Sequence, residues 1–399
     1  MQRLSLVLVV VLGACAPEPP AESYGFVALL GHDTVSVERV QRSPSRLVTD
    51  EVDRFPFVKI RHSEFELAKD GRIRHMLMTV RTPNAKTPAE RGRTVTADMT
   101  DKEVKVRVAD STQVRDTSFR NGGAPSVPHV SMMYSVIEHE IATALREARK
   151  NKLAPGDSVL FRQFYPDRDV GPSFTLHSGY VHPMGHDSVE LRHDWLSGTG
   201  VVTVDSGGRM QTYDGARTTY KVLVRRTSEL PDIDAIGKGF VAAEASTGMH
   251  QLSVRDTVRA TIGTAQFTVD YGRPLARGRQ LLGNVIEYDR VWRTGANAAT
   301  QFTTSSPITL GTLEVPAGTY TLFTVPRADR VELAVNTQTG QWGTYYQRPK
   351  DLGRTLLKVE SQRPNTEKFS IAVVPSDSKH GTLSLEWGDF KWSAPIAVK

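Results

Sequence analysis

The sequence Val104-Lys105-Val106-Arg107-Val108 alternates valine with a basic residue at every position. Because successive side chains of a β-strand point to opposite faces, this period of two is typical of a half-buried strand. Residues 35–40 and 220–224 follow a similar pattern. Short segments of this kind, separated by turns rich in Gly, Asp, Asn and Pro, make up most of the chain. The sequence therefore predicts a mostly β protein built from antiparallel sheet.

One stretch has the periodicity of a helix instead. Between residues 128 and 152, apolar side chains recur at intervals of three and four, and charged side chains lie opposite them. The apolar positions are Met132, Met133, Val136, Ile137, Ile141, Leu145 and Ala148. This spacing predicts one amphipathic helix packed on the sheet.

Two folded parts are expected. Residues 24–228 hold the helix and many strand-like segments, which predicts an N-terminal antiparallel β domain. In residues 229–249, one proline and three glycines interrupt any pattern, which predicts a linker. Residues 250–399 contain strand-like segments and no helical one, which predicts a β-sandwich or jelly roll.

Residues 1–15 have the layout of a secretory signal peptide, with Arg3, an apolar run and the ending Leu12-Gly13-Ala14-Cys15. This ending resembles a bacterial lipobox, where the peptide is cut before the cysteine and the thiol is acylated. The apolar run of about nine residues is shorter than the roughly 20 that span a bilayer. We therefore expect a lipoprotein held in the bilayer by fatty acids such as palmitate on Cys15, with residues 16–23 as a Pro-rich tether. The residues after the cysteine favour the outer membrane of the cell envelope.

Composition limits the chemistry. Cys15 is the single cysteine, so the remaining chain has neither a disulfide nor a thiol nucleophile. The formal net charge of +6 comes mostly from residues 250–399, which suits a glycan or an anionic small ligand. No basic run with interleaved aromatic residues is present, so no nucleic-acid partner is expected. No cofactor motif is present, and no cofactor is expected.

Several blocks in the C-terminal half are recognisable: Tyr271-Gly272-Arg273-Pro274 with Arg277-Gly278-Arg279, Val291-Trp292-Arg293-Thr294-Gly295-Ala296-Asn297, Trp342-Gly343-Thr344-Tyr345 and residues 351–354. In these blocks the chain resembles a bacterial envelope family catalogued as domain of unknown function 2911. The resemblance covers residues 260–398. It implies an envelope context, and because the family carries no established activity, it implies no mechanism.

The side-chain types in these blocks suit a binding site. Arginines supply forked donors, amides supply paired hydrogen bonds, and aromatic rings supply stacking faces. The candidate ligand-binding residues are Arg273, Trp292, Arg293, Asn297, Trp342, Tyr345, Asp351 and Arg354. The same residue types also suit an internal network, in which Arg293 pairs with Asp351 or Glu386 and Asn297 caps a turn. The spacing alone leaves both interpretations open.

Four of the 11 histidines lie close together in the sequence: His177, His182, His186 and His193. Imidazoles near carboxylates can bind zinc, but tight ligand spacing is missing. They are weak metal candidates, and the sequence predicts no metal site. His186 matches the turn position of His32 in an earlier hairpin, which favours a turn residue.

The leading hypothesis for function is a non-enzymatic envelope lipoprotein that binds a polar ligand or an envelope partner. A second hypothesis is an envelope hydrolase or isomerase that uses Arg293, Asn297 and a carboxylate such as Asp351 or Glu386. A third is a lipid or lipoprotein carrier, in which the helix near Met132 and Met133 covers an apolar groove of the N-terminal domain. A buried carboxylate without an arginine partner would favour the enzyme.

Overall fold

A computed structural model describes residues 21–55, 57–123, 126–153, 157–166, 176–185, 187–193, 198–247 and 252–399. Cys15, the signal peptide of residues 1–15 and most of the tether lie outside the described residues, as does His186. The first strand begins at Glu22, so the tether predicted for residues 16–23 gives way to sheet two residues early.

Between residues 22 and 227, the described part of the chain forms fifteen strands and two helices. The strands are β1 Glu22–Leu30, β2 Asp33–Arg42, β3 Arg46–Asp53, β4 Lys59–Leu67, β5 Ile73–Arg81, β6 Gly92–Met99, β7 Glu103–Asp110, β8 Val114–Arg120, β9 Ser126–Pro128, β10 Val159–Phe164, β11 His177–Pro183, β12 Ser188–His193, β13 Thr199–Val204, β14 Met210–Asp214 and β15 Leu223–Thr227. The helices are the short α1, Pro88–Arg91, and the long α2, Tyr134–Lys150. Helix α2 confirms the amphipathic helix predicted for this stretch.

The remaining elements are helix α3, Ile233–Thr247, and nine strands. The strands are β16 Ser253–Ile262, β17 Ala265–Pro274, β18 Thr300–Thr304, β19 Ile308–Leu310, β20 Leu313–Val315, β21 Gly318–Pro326, β22 Val331–Asn336, β23 Asp351–Pro375 and β24 His380–Val398. A single 3₁₀ turn, Arg348–Lys350, precedes β23.

The first fifteen strands form one sheet. Its order runs from β8 back to β1, then from β15 back to β9, so β1 pairs with β15 in the middle. Neighbours are antiparallel except β9 and β10, which are parallel and joined through α2. A parallel pair needs such a crossover because a tight turn reverses the chain direction.

Helix α2 lies against strands from both halves of this sheet. Its Glu138 accepts hydrogen bonds from Arg209 Nε at 2.8 Å and Arg226 Nη1 at 2.7 Å, while Arg42 Nη2 donates to His139 Nδ1 at 3.0 Å. Helix α2 also contacts β9, β10 and β11 at one edge of the sheet. Because these strands lie far from β2 in the sheet order, the sheet curls around α2. The buried side chains of the helix and of the enclosing strands form one continuous core.

The C-terminal strands form a second sheet in the order β16-β17-β18-β21-β22-β23-β24-β19-β20. Strands β23 and β24 are 25 and 19 residues long, and their pairing shifts register near Thr366, where the hairpin bends. The bend lets β23 pair with β22 and also pack against β16 and β17. Apolar side chains of both layers enclose one core, as in a sandwich. The mostly β fold class predicted from the sequence is confirmed.

Residues 229–249, where the sequence predicts a linker, contain helix α3 instead of irregular chain. Its Ile233 packs with Val37 and Val52 of β2 and β3, in a cluster separate from the main core. Glu244 accepts a hydrogen bond from the Val58 amide at 3.1 Å, which fixes the end of the helix. Helix α3 therefore packs on the first sheet and belongs to that part of the structure.

Candidate ligand-binding surface

Trp292 lies in the core of the sandwich. Its ring stacks on Trp387 with 5.9 Å between centroids and 11° between planes, and it meets the edge of Phe369 at 5.1 Å. Its side chain is almost fully buried. The aromatic face predicted for a ligand is therefore occupied by other rings, and Trp292 provides core mass.

Arg273 is held by neighbouring strands. Its guanidinium donates to the Phe369 carbonyl at 3.0 Å, to Asp256 at 2.7 Å and to Ser370 Oγ at 2.7 Å. All three nitrogens are used, so Arg273 joins β16, β17 and β23. It does not meet the other candidate residues in a common site.

Asp351 and Arg354 belong to an internal network. Asp351 accepts from Asn336 Nδ2 at 2.9 Å, from the Tyr346 hydroxyl at 2.6 Å and from Arg354 Nε at 3.1 Å. Arg354 also donates to Glu332 at 2.9 Å. Burial lowers the pKa of Arg354, but the hydrogen bonds to Glu332, Asp351 and Tyr346 outweigh burial and raise it. This network is saturated, and Arg354 rather than Arg293 holds Asp351.

Glu386, the other carboxylate considered for catalysis, is also paired. Lys391 Nζ lies 3.0 Å from its Oε1, and Ser384 Oγ donates to the same oxygen at 3.0 Å. Both carboxylates therefore have a cationic partner. By the criterion set from the sequence, this pairing favours a structural role.

Four of the candidate residues do come together. Arg293 Nη1 donates to the Asn297 carbonyl at 3.3 Å, and the Gly343 amide donates to the same oxygen at 3.0 Å. Ala298 forms a β-bridge with Trp342, and the Tyr345 amide donates to the Trp342 carbonyl at 2.9 Å. Trp342 and Tyr345 are 44% and 67% exposed. We call Arg293, Asn297, Trp342 and Tyr345 the aromatic patch.

The backbone of Asn297 explains why this loop is compact. Its φ of 61° lies in the left-handed region, where asparagine is tolerated better than most residues. A Cβ on Gly343 would lie 2.5 Å from Arg293 Cδ, so only glycine lets the two loops approach this closely. The block that carries the family resemblance therefore builds the aromatic patch.

Lys221, which sequence reasoning missed, adds positive charge beside this patch. Burial, then the charges of Arg293 and Arg279, lower its pKa to about 8, against the opposing effect of Glu287. Its Nζ donates to the Ala216 carbonyl at 2.9 Å. Burial also lowers the pKa of Arg293. Lys221 comes from the loop before β15, so no spacing in the sequence links it to the patch.

A half-open cleft of about 470 Å³ also lies on the sandwich, beside the bend of the β23–β24 hairpin. Its lining includes Arg279, Gln280, Tyr288, Asn365 and Asp389. Tyr288 is 45% exposed. The sequence predicted none of these five residues. Because the cleft is formed by loops far apart in the chain, only Arg279, in the recognisable Arg277-Gly278-Arg279 block, gave any signal.

The three weak metal candidates that the structure describes, His177, His182 and His193, do not form a metal cluster with one another. His182, on β11, is partly exposed and lies near Ser158, with 3.4 Å from Nδ1 to Oγ. His177 packs its ring on Tyr165 with 4.8 Å between centroids. His193 is buried and lies 3.4 Å from Glu140, measured from Nε2 to Oε2. Its neighbours His129 and Glu140 come from other parts of the chain and were not singled out.

Met132 and Met133, proposed to cover an apolar groove, are buried in the main core at the start of α2. They pack as ordinary core side chains do. Within the part of the chain that the structure describes, no helix combines the length and apolar character needed to cross a membrane.

Comparison with known proteins gives limited matches. No curated protein matches the chain. A crystal structure of a DUF1089 family protein from Pseudomonas aeruginosa is similar at 12% identity and a TM-score of 0.32, over 47% of this chain and 93% of that chain. Residues 253–396, the C-terminal half built around the sandwich, match the sequence model of the family described as "Protein of unknown function (DUF2911)".

Proposed function

We propose that the protein is a lipid-anchored, non-enzymatic protein of the cell envelope that binds a polar ligand on the C-terminal sandwich. The ligand class is a glycan or an anionic small molecule. The observation that carries this proposal is the aromatic patch, where a β-bridge and backbone hydrogen bonds hold the loop of exposed Trp342 and Tyr345 against the loop of Arg293 and Asn297. Rings next to planar donors are the usual means of holding a sugar or a carboxylate.

The charges of the site support an anionic group on the ligand. Arg279 and Arg293 both lie within electrostatic reach of Lys221, and Glu287 is the acidic neighbour of that lysine. A ligand anion would relieve the mutual repulsion of these partly buried cations. The cleft beside Tyr288 has a volume in the usual range for small-molecule sites, which is about 300–1,000 Å³.

A binding role is favoured over an enzymatic one because Asp351 and Glu386 are paired with cations. The anchor in this proposal is the acylated Cys15, and the expected location is the outer membrane. Mass spectrometry of native protein tests the acylation, and a Cys15→Ser variant should move to the soluble fraction.

A ligand screen tests the binding role. The detergent-solubilised mature protein is screened by thermal shift against neutral, uronate-bearing and phosphate-bearing oligosaccharides. We expect a hit among the acidic sugars, weakened about tenfold or more by Arg293→Ala and by Trp342→Ala, since one stacked ring or charged contact is worth about 1.4 kcal/mol.

The matched controls are Tyr180→Ala and Arg330→Ala, which remove an exposed ring and an exposed guanidinium elsewhere. Both controls should keep the affinity of the unaltered protein. Hits that bind equally well after Arg293→Ala and Trp342→Ala would remove the aromatic patch as the binding surface.

A further inference from the structure

A buried cluster of metal-ligating groups lies under helix α2, far from the sandwich. His129 follows β9, Glu140 lies on α2 and His193 ends β12. The three side chains are 2% exposed or less. Their ligand atoms all lie within 4.8 Å of one another. Three separate elements therefore place two imidazoles and one carboxylate around one point in the core.

The distances suit a tetrahedral ion. His193 Nε2 lies 3.4 Å from Glu140 Oε2, and His129 Nδ1 lies 3.7 Å from Glu140 Oε1. Two ligand atoms bound at about 2.0 Å in a tetrahedron are about 3.3 Å apart. Side-chain adjustments of about 1 Å would bring all three groups into coordination. Both contacts with the carboxylate are also longer than a good hydrogen bond, so a bound cation would hold the Glu140 carboxylate more firmly than they do.

The hydrogen bonding of Glu140 points the same way. Glu140 is fully buried, and its Oε2 accepts no hydrogen bond from the residues that the structure describes. A buried carboxylate oxygen without a donor is costly, and a bound cation would supply its partner.

Gln163 of β10 supplies an outer contact typical of metal sites. Its Nε2 donates to Glu140 Oε1 at 2.9 Å, which fixes the plane of the carboxylate. The edge of Phe161 meets the His193 ring at 6.1 Å, and His129 packs against Tyr165 at 5.3 Å between centroids. The rings therefore have restricted orientations.

The geometry points to a buried zinc site formed by His129, Glu140 and His193, which joins helix α2 to the ends of β9 and β12 in the first sheet. Two imidazoles and one carboxylate are a donor set that Zn²⁺ accepts, with a fourth position left for water. Because the site is enclosed by the core, its role is structural stabilisation of the N-terminal domain.

Metal titration tests this site directly. The mature protein in detergent is stripped with a chelator and titrated separately with Zn²⁺ and Co²⁺. We expect one equivalent to bind, with visible absorption bands of tetrahedral Co²⁺ and a thermal midpoint that rises by about 5 °C with excess Zn²⁺. His193→Gln and Glu140→Gln should each weaken Zn²⁺ binding by about tenfold or more.

His62→Gln is the matched control, because His62 contacts two carboxylates, Asp50 and Glu64, but lies on the surface. It should bind Zn²⁺ as the unaltered protein does. The proposal fails if the stripped protein takes up no stoichiometric metal, or if His193→Gln keeps full affinity while His62→Gln loses it. If Glu140→Gln does not fold, His193→Gln and the unaltered protein decide the question.

Discussion

His139 shows how burial sets the charge of a single residue. It lies on α2 with 1% of its surface exposed, and Arg42 Nη2 donates to its Nδ1 at 3.0 Å. Burial, followed by the charges of Arg42 and Arg146, holds its pKa well below the usual range, against the opposing effects of Glu140 and the Gly71 backbone. The imidazole is therefore neutral in the folded protein, and its Nδ1 accepts a hydrogen bond from the Arg42 guanidinium.

This predicts a loss of stability in mild acid. An unfolded histidine titrates near pH 6.5, so below that pH the unfolded chain binds one proton more than the folded one. The stabilisation is complete above about pH 6.5 and declines as the pH falls, by up to about 1.4 kcal/mol per pH unit. Urea unfolding of the unaltered protein and of His139→Gln between pH 6.5 and 5 measures this slope.

The variant should lose stability less steeply with falling pH, because glutamine has no proton to gain. Comparison with the variant cancels the titration of the buried glutamates, which both proteins share. His182→Gln, at a partly exposed position, should keep the slope of the unaltered protein. Parallel curves for His139→Gln and the unaltered protein would contradict the neutral imidazole.

At the scale of the residue, the sequence predicts the strands but not which charged side chains are buried. In β2 the alternation predicted that Val37 faces the core and Glu38 faces solvent. Both are buried, because Val37 faces α3 while Glu38 contacts the start of α2. A sheet covered on both sides buries both sets of side chains, and the helix partners of Glu38, Tyr134 and Ser135, lie about a hundred residues away.

At the scale of the element, helix α2 is capped from a distance. Its N-cap Met133 has no side-chain oxygen, and Glu38 Oε2 instead accepts the amides of Tyr134 at 2.7 Å and Ser135 at 3.0 Å. A carboxylate at this end of a helix also interacts favourably with the helix dipole. Burial raises the pKa of Glu38, while these hydrogen bonds oppose the rise. The contact ties α2 to the middle of the sheet.

Removal of this cap should destabilise the first domain. Glu38→Ala leaves two helix amides and the hydroxyls of Thr49 and Ser135 without their acceptor, which we expect to cost about 2–4 kcal/mol. Chemical denaturation followed by circular dichroism at 222 nm measures the loss. Glu64→Ala, which removes a surface carboxylate of the same size, should cost under about 0.5 kcal/mol. Equal stability of the two variants would exclude the distant cap.

Helix α3 was missed for a physical reason. Two of its residues, Gly237 and Gly239, are poor helix formers, each costing about 1 kcal/mol relative to alanine. Packing on the sheet offsets this cost, since Ile233 of the helix is buried with Val37 and Val52. A Cβ on Gly237 would make only ordinary contacts, at 3.6 Å from Ile60 and 3.7 Å from Val52. Tertiary contact decides the conformation here, and local composition does not reveal such contact.

At the scale of the whole molecule, the aromatic patch and the proposed zinc site differ in how much of each can be recognised in the sequence. The block of Arg293 and Asn297 was recognisable, because its residues are adjacent in the chain. Its partner loop, with Trp342 and Tyr345, was recognisable for the same reason. His129, Glu140 and His193 come from three distant segments, so only the curled sheet brings them together.

Among the described residues, a basic loop of the sandwich contacts a tight turn of the first sheet. The Arg277 side chain is 6% exposed, and its Nε donates to Asp33 at 2.7 Å, while the His32 amide donates to the Arg277 carbonyl at 3.2 Å. Gly31 has a φ of 64°, and a Cβ there would lie 2.1 Å from the Arg277 carbonyl oxygen. The turn thus requires glycine for both its backbone and the close approach.

Loss of Asp33 should weaken this junction. Asp33→Ala leaves the buried Arg277 guanidinium with the Leu252 carbonyl as its remaining partner at 3.1 Å. We expect a loss of about 1–3 kcal/mol, since the pair is partly screened by solvent at the Asp33 side. Calorimetry should show a lower midpoint and a wider separation between the unfolding transitions of the two domains. Asp98→Ala, which breaks an exposed pair with His75, is the control and should leave the transitions unchanged. If Asp33→Ala unfolds like the control, the contact between the sheets contributes no coupling, and each sheet is stable on its own core.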